Sequence, residues 1–156
     1  MEFLLRTTIE SDLEVFFLNQ LDDESNQMAA FTSVDPSDKK TYIEKWTRLL
    51  NDETIHMKTI IYNDEIAGTV AKYEMDGESE ITYWIGKRYW GRGIASKAVE
   101  AFLKLEKKRP IYGRAASDNT KSIRVLEKSG FVKIGSEMSF ANARGKEIEE
   151  VIYRLD

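Results

Sequence analysis

The 156-residue sequence contains no cysteine, and this absence removes several kinds of chemistry at once. Without a thiol the chain can form no disulfide, no thiolate metal site and no cysteine nucleophile. The absence agrees with a reducing compartment, so we expect a cytoplasmic protein. With His56 as the single histidine, neither a histidine-rich metal site nor a histidine base is expected, and we predict no metal.

Long apolar runs and clustered positive charge are also missing. No apolar stretch approaches the roughly 18 residues that a membrane-spanning helix requires, and no signal peptide is expected. Lys and Arg number 23 against 27 Asp and Glu, giving a net charge of −4 without the basic patch of a nucleic-acid-binding protein. We therefore expect neither a membrane nor a nucleic acid as partner.

The remaining composition is that of a folded domain. Hydrophobic residues make up 42% and charged residues 32% of the sequence, and the length predicts one domain over 1–156. Apolar spacing predicts, in order, two helices, three antiparallel strands, a helix, a strand, a helix and a final hairpin. This order favours a mixed, mostly antiparallel sheet flanked by helices. The strands are expected at 55–62, 65–75, 80–86, 111–116, 131–140 and 147–156.

Polar residues mark the expected helix starts. Ser11 begins an S-x-x-E capping box, and Asp35 is expected to cap the second helix. Asp118 or Asn119 is expected to cap the last helix. The helix before that one is expected to start near residue 94.

The stretch RYWGRGIA joins a predicted strand to a predicted helix. Gly91 and Gly93 would let the backbone approach an anion, and the first amides of the helix have no intrahelical partners. Arg88 and Arg92 would add charge-assisted contacts. The glycine spacing fits neither a P-loop nor a dinucleotide fingerprint. The stretch therefore predicts a phosphate site of another kind, with a plain solvent-exposed loop as the alternative.

The motif R-x-x-G-x-G-x-A in this stretch resembles the pyrophosphate-binding loop of the GNAT superfamily of N-acetyltransferases. The longer stretches EITYWIGKRYWGRGIASKAVEAFL and NTKSIRVLEKSGF are similar to the RimJ/RimL-like branch, the ribosomal-protein N-acetyltransferases. The specific resemblance covers about residues 80–131. It implies a GNAT-like α/β (α+β) fold with a sheet splayed at the acetyl-CoA cleft. It also implies an enzyme that transfers an acetyl group directly from acetyl-CoA to a primary amine.

The same resemblance implies which residues hold acetyl-CoA. Amides of the loop and of the first helical turn would bind the pyrophosphate. A bulge in the preceding strand would free amides that pair with the pantetheine arm and polarise the thioester carbonyl. The implied cofactor-binding residues are Trp84, Ile85, Arg88, Gly91, Arg92, Gly93, Ile94, Ala95, Ser96, Asn119 and Ser122.

A carboxylate is implied to act as the general base, because an ammonium must lose a proton before it can attack. Glu80 matches the glutamate at the start of the corresponding strand in the family. A solvated charge at the strand end is the alternative interpretation. Glu74, Asp76 and Glu78 crowd the adjacent turn and could share or take over the role.

The departing thiolate has no tyrosine to protonate it, because Leu126 occupies the position where many GNAT enzymes have one. Ser122, one helical turn earlier, matches a position where a serine hydroxyl can approach the sulfur. The alternative is a surface serine that bonds back to the helix backbone. Asn119 has a similar alternative, a plain helix cap.

Several functions stay open at this point. The acceptor could be a protein N-terminus or a small amine such as a polyamine, an amino acid or an aminoglycoside. A non-catalytic acyl-CoA-binding module would keep the phosphate loop and lose the proton-transfer groups, and a purely structural subunit would have no affinity for CoA. Homodimers are common in the superfamily, and the resemblance leaves the oligomeric state undecided.

Overall fold

The computed structural model describes residues 2–156, and its centre is a seven-stranded sheet. The strands are β1 (Phe3–Thr7), β2 (His56–Tyr62), β3 (Glu65–Met75), β4 (Glu78–Ile85), β5 (Ile111–Ala116), β6 (Val132–Ala141) and β7 (Lys146–Leu155). Their spatial order is β1-β2-β3-β4-β5-β7-β6, and every neighbouring pair is antiparallel except β4 and β5. The predicted mixed, mostly antiparallel sheet is confirmed.

Helices cover both faces of this sheet. They are α1 (Asp12–Asn19), α2 (Asp23–Ala29), α3 (Lys39–Leu50), α4 (Ile94–Leu105) and α5 (Thr120–Lys128). The neighbouring β3 residues Val70 and Ala71 point to opposite faces, and each joins a different apolar cluster. Val70 packs in the cluster that α4 and α5 cover, and Ala71 in the one that α1 and α3 cover. Within residues 2–156, no helix is both long and apolar enough to cross a membrane.

Two elements, β1 and α2, are absent from the sequence-based prediction. The strand β1 lies at the edge of the sheet and pairs with β2 alone. The helix α2 has no apolar stripe, because its buried residues are Ser25 and Asn26. Polar contacts hold it instead: Asp22 accepts the Ser25 amide at 2.8 Å, and the Asn26 side chain donates to the Gln20 carbonyl at 2.7 Å. A helix held in this way leaves no apolar periodicity to detect.

Two of the predicted helix caps are wrong. The Ser11 side chain makes no capping hydrogen bond to α1. The carboxylate of the next residue, Asp12, instead accepts the amide of Ile9 at 3.0 Å. Asp38, and not Asp35, caps the second predicted helix, which is α3 and begins at residue 39. Asp38 makes the hydrogen bond of a helix cap, because its carboxylate accepts the amide of Thr41, three residues further along the chain.

The sheet opens between β4 and β5. The pairing of these strands consists of Ser79 with Ile111 and Glu80 with Tyr112, and beyond these residues the strands separate. This confirms the predicted splay. The bulge predicted in the strand before the loop is wrong, because β4 pairs with β3 without a register shift. The free edge of β4 results from the departure of β5 and not from an irregularity in β4 itself.

Candidate active site

The opening between β4 and β5 leads into a cavity of about 630 Å³. Its walls come from the end of β4, the loop before α4, the helix α5, the strand β5 and the chain around the end of α2. All residues predicted to bind the cofactor or to catalyse the reaction line this cavity, except Arg88 and Arg92. A concave site of this size that gathers polar groups from several elements is typical of a small-molecule site.

The loop before α4 presents backbone amides to the cavity. Gly91 and Gly93 have φ of 77° and 72°, and an added Cβ at either would meet no atom within 4 Å. Conformation, not crowding, therefore requires glycine at both positions. The amide of Lys97 donates to the Gly93 carbonyl at 3.1 Å. The amides of the preceding turn, which include those of Ile94 and Ala95, have no helical acceptor and suit an anion.

The two arginines of the loop turn away from the cavity. The Arg88 guanidinium lies 3.3 Å from the Glu65 carboxylate and 5.0 Å from the centre of the Tyr89 ring. Arg92 lies 5.8 Å from the centre of the Tyr62 ring. Both side chains thus contact the sheet or the loop itself. The guanidinium groups do not line the cavity in this arrangement, and their contact with phosphate stays a prediction.

A different set of cations lines the cavity, on α5. Lys121, Arg124 and Lys128 share one side of this helix, and we call them the basic wall. The ammonium of Lys121 lies 4.8 Å from the centre of the Trp90 ring, while the Trp90 indole N–H donates to the Ile85 carbonyl at 2.9 Å. Trp90 therefore links the loop to β4 and to α5. The spacing of the three cations was visible in the sequence but was not recognised there.

Carboxylates gather at the other end of the cavity. Glu80 is 1% exposed, and Arg114 Nε donates to its two carboxylate oxygens at 3.3 and 3.4 Å. The Arg114 Nη1 atom lies 2.7 Å from Glu137 and 3.5 Å from Glu150. We call these four residues the acidic end, because three carboxylates surround one guanidinium; Glu80, Arg114 and Glu150 line the cavity, and Glu137 lies behind Arg114 without lining it. The alternative interpretation of Glu80 as a solvated strand-end charge is wrong.

Burial controls the protonation of this cluster. Burial raises the pKa of Glu80 above its ordinary value, and the neighbouring charge of Arg114 opposes that rise. The pKa of Glu150 is raised for the same reason. Glu137 and Glu150 are directly opposite on β6 and β7, where like charges repel, and Arg114 contacts both. A cavity-lining carboxyl with a raised pKa is well suited to accept a proton.

The other carboxylates considered as the base do not line the cavity. Glu74 contacts both Lys72 and Lys108, and the hydrogen bond from Lys108 lowers its pKa to about 2. A carboxylate of such low pKa is a poor base. Asp76 lies in the turn before β4 and Glu78 is the first residue of β4, and neither lines the cavity. Among these acids, Glu80 is the one that the fold brings into the cavity.

Ser122 meets a tyrosine that the sequence-based prediction did not include. The Tyr83 hydroxyl lies 2.6 Å from Ser122 Oγ, and it also donates to the Ser122 carbonyl at 3.3 Å. Burial raises the pKa of Tyr83 to about 12. Leu126 packs against β5, where a Cβ added to Gly113 would lie 2.6 Å from the leucine side chain. The serine hydroxyl therefore has a side-chain partner and does not bond back to its own helix.

Asn119 and Trp84 also line the cavity, but their polar groups contact other parts of the chain. Asn119 caps α5 as predicted, accepting the Ser122 amide at 3.2 Å, and its side-chain amide donates to the Met28 carbonyl at 3.2 Å. The Trp84 indole N–H lies 3.4 Å from the Asn19 carbonyl. The contact of Asn119 with a pantetheine arm stays a prediction.

Comparison with known proteins agrees with this geometry. Residues 2–132 match the acetyltransferase (GNAT) domain. The chain belongs to the GNAT acetyltransferases. The matched residues include the loop, the whole of α4 and α5, and the opening between β4 and β5. The predicted enzyme class, an N-acetyltransferase, is confirmed at the level of the family.

Two relatives in sequence carry N-acetyltransferase names, and one of these names is a ribosomal one. An uncharacterized N-acetyltransferase of Bacillus licheniformis, p20, is 33% identical over 100 residues, which is 59% of this chain and 56% of that protein's length. The chain thus spans little more than half of that relative. A Bacillus subtilis protein provisionally named ribosomal N-acetyltransferase YdaF is 30% identical over 137 residues, covering 80% of this chain and 74% of that protein. The crystal structure of RimL, a ribosomal L7/L12 alpha-N-protein acetyltransferase in complex with coenzyme A, superimposes with a TM-score of 0.79 at 19% identity, covering 98% and 93% of the two chains.

Proposed function

We propose that the protein is an acetyl-CoA-dependent N-acetyltransferase whose acceptor is a cationic amine. The single observation that carries the proposal is that one cavity joins a glycine loop and the basic wall to a buried carboxylate. Acetyl-CoA supplies an activated acetyl thioester when it is bound. The chain's own residues would hold that molecule at one end of the cavity and remove a proton from the amine at the other.

Backbone amides and the basic wall would hold the phosphates. The amides of Ile94, Ala95 and Ser96 are first-turn donors at the positive end of the α4 dipole, which suits the pyrophosphate. The side chains of the basic wall would meet the remaining phosphate, the one on the adenosine ribose. Arg88 and Arg92 would then contribute through the backbone of the loop rather than through their guanidinium groups, which contact other residues.

The free edge of β4 would hold the pantetheine arm. Beyond Glu80, this strand is not paired with β5, so backbone amides near Trp84 and Ile85 would be available to a ligand in the opening. A fixed amide aimed at the thioester oxygen stabilises the negative charge that develops there, typically by about 3 to 4 kcal/mol. Glu80 would accept the proton of the ammonium, directly or through water.

The acidic end supports a positively charged acceptor. Three carboxylates around Arg114 leave an excess of negative charge where the amine would enter. A protein N-terminus and a polyamine both meet this requirement, and the ribosomal name of one relative makes a ribosomal-protein N-terminus the first acceptor to test. A non-catalytic CoA-binding module is less favoured, since it has no need of a buried carboxylate in its cavity.

Calorimetric titration with acetyl-CoA tests this proposal. We expect binding in the micromolar range by the wild type and its loss in a variant with Gly91→Val and Gly93→Val. Valine does not adopt the positive φ of these positions without strain, so the amides would leave their present arrangement.

A matched control separates this effect from general strain. Gly77 and Gly145 also have positive φ, at 81° and 65°, and lie in the β3–β4 and β6–β7 turns. The variant Gly77→Val with Gly145→Val should keep its affinity for acetyl-CoA. Absence of acetyl-CoA binding by the wild type would overturn the proposed function. Binding would be followed by an assay of acetyl transfer to a ribosomal-protein N-terminal peptide and to spermidine.

A further inference from the structure

We infer that Tyr83 positions the Ser122 hydroxyl as a hydrogen-bond donor to the sulfur of coenzyme A, so that the thiolate departs as a stabilised anion. The inference rests on the proposed function, because it concerns the leaving group of that reaction. It assigns a role to Tyr83, which lies on β4. The α5 position where many GNAT enzymes have a tyrosine holds Leu126 here.

The geometry of the pair allows the serine to donate into the cavity. Tyr83 reaches from β4 to the first turn of α5, where its oxygen lies 2.6 Å from Ser122 Oγ. Either oxygen can be the donor in this contact. When Tyr83 donates, the serine proton is free to point elsewhere, and Ser122 lines the cavity. When the serine donates, the tyrosine proton goes to the Ser122 carbonyl at 3.3 Å. Rotation of the Tyr83 and Ser122 hydroxyl groups about their C–O bonds exchanges these two arrangements.

The acidity of Tyr83 favours hydrogen bonding over proton transfer. Burial raises its pKa to about 12, so the phenol keeps its proton at neutral pH. An ordinary thiol has a pKa of about 8.5, so proton transfer from Tyr83 to a thiolate is unfavourable by roughly a thousandfold or more. A hydrogen bond to the anion needs no such transfer.

The protons and electrons balance without a general acid. As the carbon–sulfur bond breaks, its electron pair stays on sulfur, and the amine nitrogen becomes bonded to the acetyl carbon. The ammonium gives up two protons in becoming an amide: the first goes to Glu80 before the attack, and the second passes from the nitrogen to water after the carbon–nitrogen bond has formed. Ser122 and Tyr83 keep their protons, and the thiolate takes one from solvent after release.

The ionisation of the bound CoA thiol tests this inference directly. The chain has no cysteine, so the ultraviolet absorbance of a thiolate in the complex comes from CoA alone. A parallel titration with acetyl-CoA, which has no thiol, removes the contribution of tyrosine ionisation. We expect the bound thiol to be more acidic than free CoA. Ser122→Ala should abolish the difference, and Tyr83→Phe should make the bound thiol about tenfold less acidic than in the wild type.

The double variant and a matched tyrosine distinguish positioning from a structural role. Tyr83→Phe with Ser122→Ala should resemble Ser122→Ala alone, because Tyr83 acts through the serine. Tyr153 also ties a strand to α5, through Glu127 at 3.1 Å, but it does not line the cavity. Tyr153→Phe should leave the acidity of the bound thiol unchanged.

The outcomes separate this inference from the proposed function. If the wild type does not bind CoA in the calorimeter, the proposed function fails and this inference fails with it. If CoA binds but Tyr83→Phe leaves the thiol acidity unchanged, only the role of Tyr83 is overturned. An equal loss of thiol acidity in Tyr83→Phe and Tyr153→Phe would also overturn the role of Tyr83, since an equal loss would indicate a general effect on α5.

Discussion

The basic wall and the acidic end occupy one cavity but are built in different ways. Lys121, Arg124 and Lys128 are exposed side chains on a helix, and within residues 2–156 none of them forms an ion pair. Glu80 and Arg114 lie on two adjacent strands, are held by each other, and are largely or fully buried.

The difference indicates two kinds of task. Exposed cations without an ion-pair partner keep more side-chain freedom than buried, paired groups, and they suit the solvated phosphates of a large ligand, where position tolerates variation. A buried and paired carboxylate has one geometry and an altered pKa, which suits proton transfer at a defined atom. Binding and chemistry should therefore be separable by mutation, and each prediction below tests that separation.

The largest expected effect is on chemistry alone. Glu80→Gln keeps the shape of the side chain but cannot accept a proton, so kcat/KM should fall by about 100-fold or more. The affinity for acetyl-CoA should not change, because Glu80 is not one of the groups proposed to bind the phosphates or the pantetheine arm. The control is Glu78→Gln, an exposed glutamate on the same strand that does not line the cavity. Unchanged turnover in Glu80→Gln would remove Glu80 as the base.

An intermediate effect is expected on binding alone. Replacing all three residues of the basic wall by Gln should weaken CoA binding by about tenfold at low salt, and less at high salt. Calorimetry with CoA and with 3′-dephospho-CoA would measure this, and the shorter ligand should be affected less.

The control for this triple variant has the same change in charge. Lys40, Lys45 and Arg48 are exposed residues of α3, and none of them lines the cavity. Their replacement by Gln should leave CoA binding unchanged. Equal weakening in the two triple variants would show that net charge matters, and not the position of the basic wall.

The smallest expected effect is a displacement of the pH dependence. Glu80 is active as a base when deprotonated, and Arg114 holds its pKa below the value that burial alone would produce. Arg114→Met should therefore raise the pKa of Glu80 further and move the acidic limb of kcat/KM to higher pH, by about one pH unit. The rate at alkaline pH should change less. Arg154→Met, which removes a partly exposed arginine of β7 paired with Asp156, is the control. If the acidic limb of kcat/KM stays at the same pH in Arg114→Met, Arg114 does not set the pKa of Glu80.

Local features of the fold were predictable because neighbours in the sequence determine them. The segment that begins at Ile94 has a helical apolar stripe, and α4 begins where this stripe indicates. Gly91 and Gly93 adopt positive φ, as a turn with two glycines suggests. The helix α2 was missed since side-chain hydrogen bonds replace the apolar stripe on which such a prediction depends.

The sequence by itself determined most of the sheet and helix pattern, the glycine loop at a helix start and the identity of the residues available for chemistry. Only the tertiary structure decided what those residues contact. Glu80 meets Arg114 from 34 residues away, and Tyr83 meets Ser122 from 39 residues away. The turn of Arg88 towards Glu65 is likewise a contact between separate elements. Burial, charge pairing and pKa depend on distances in space between elements, and no periodicity along one segment contains that information.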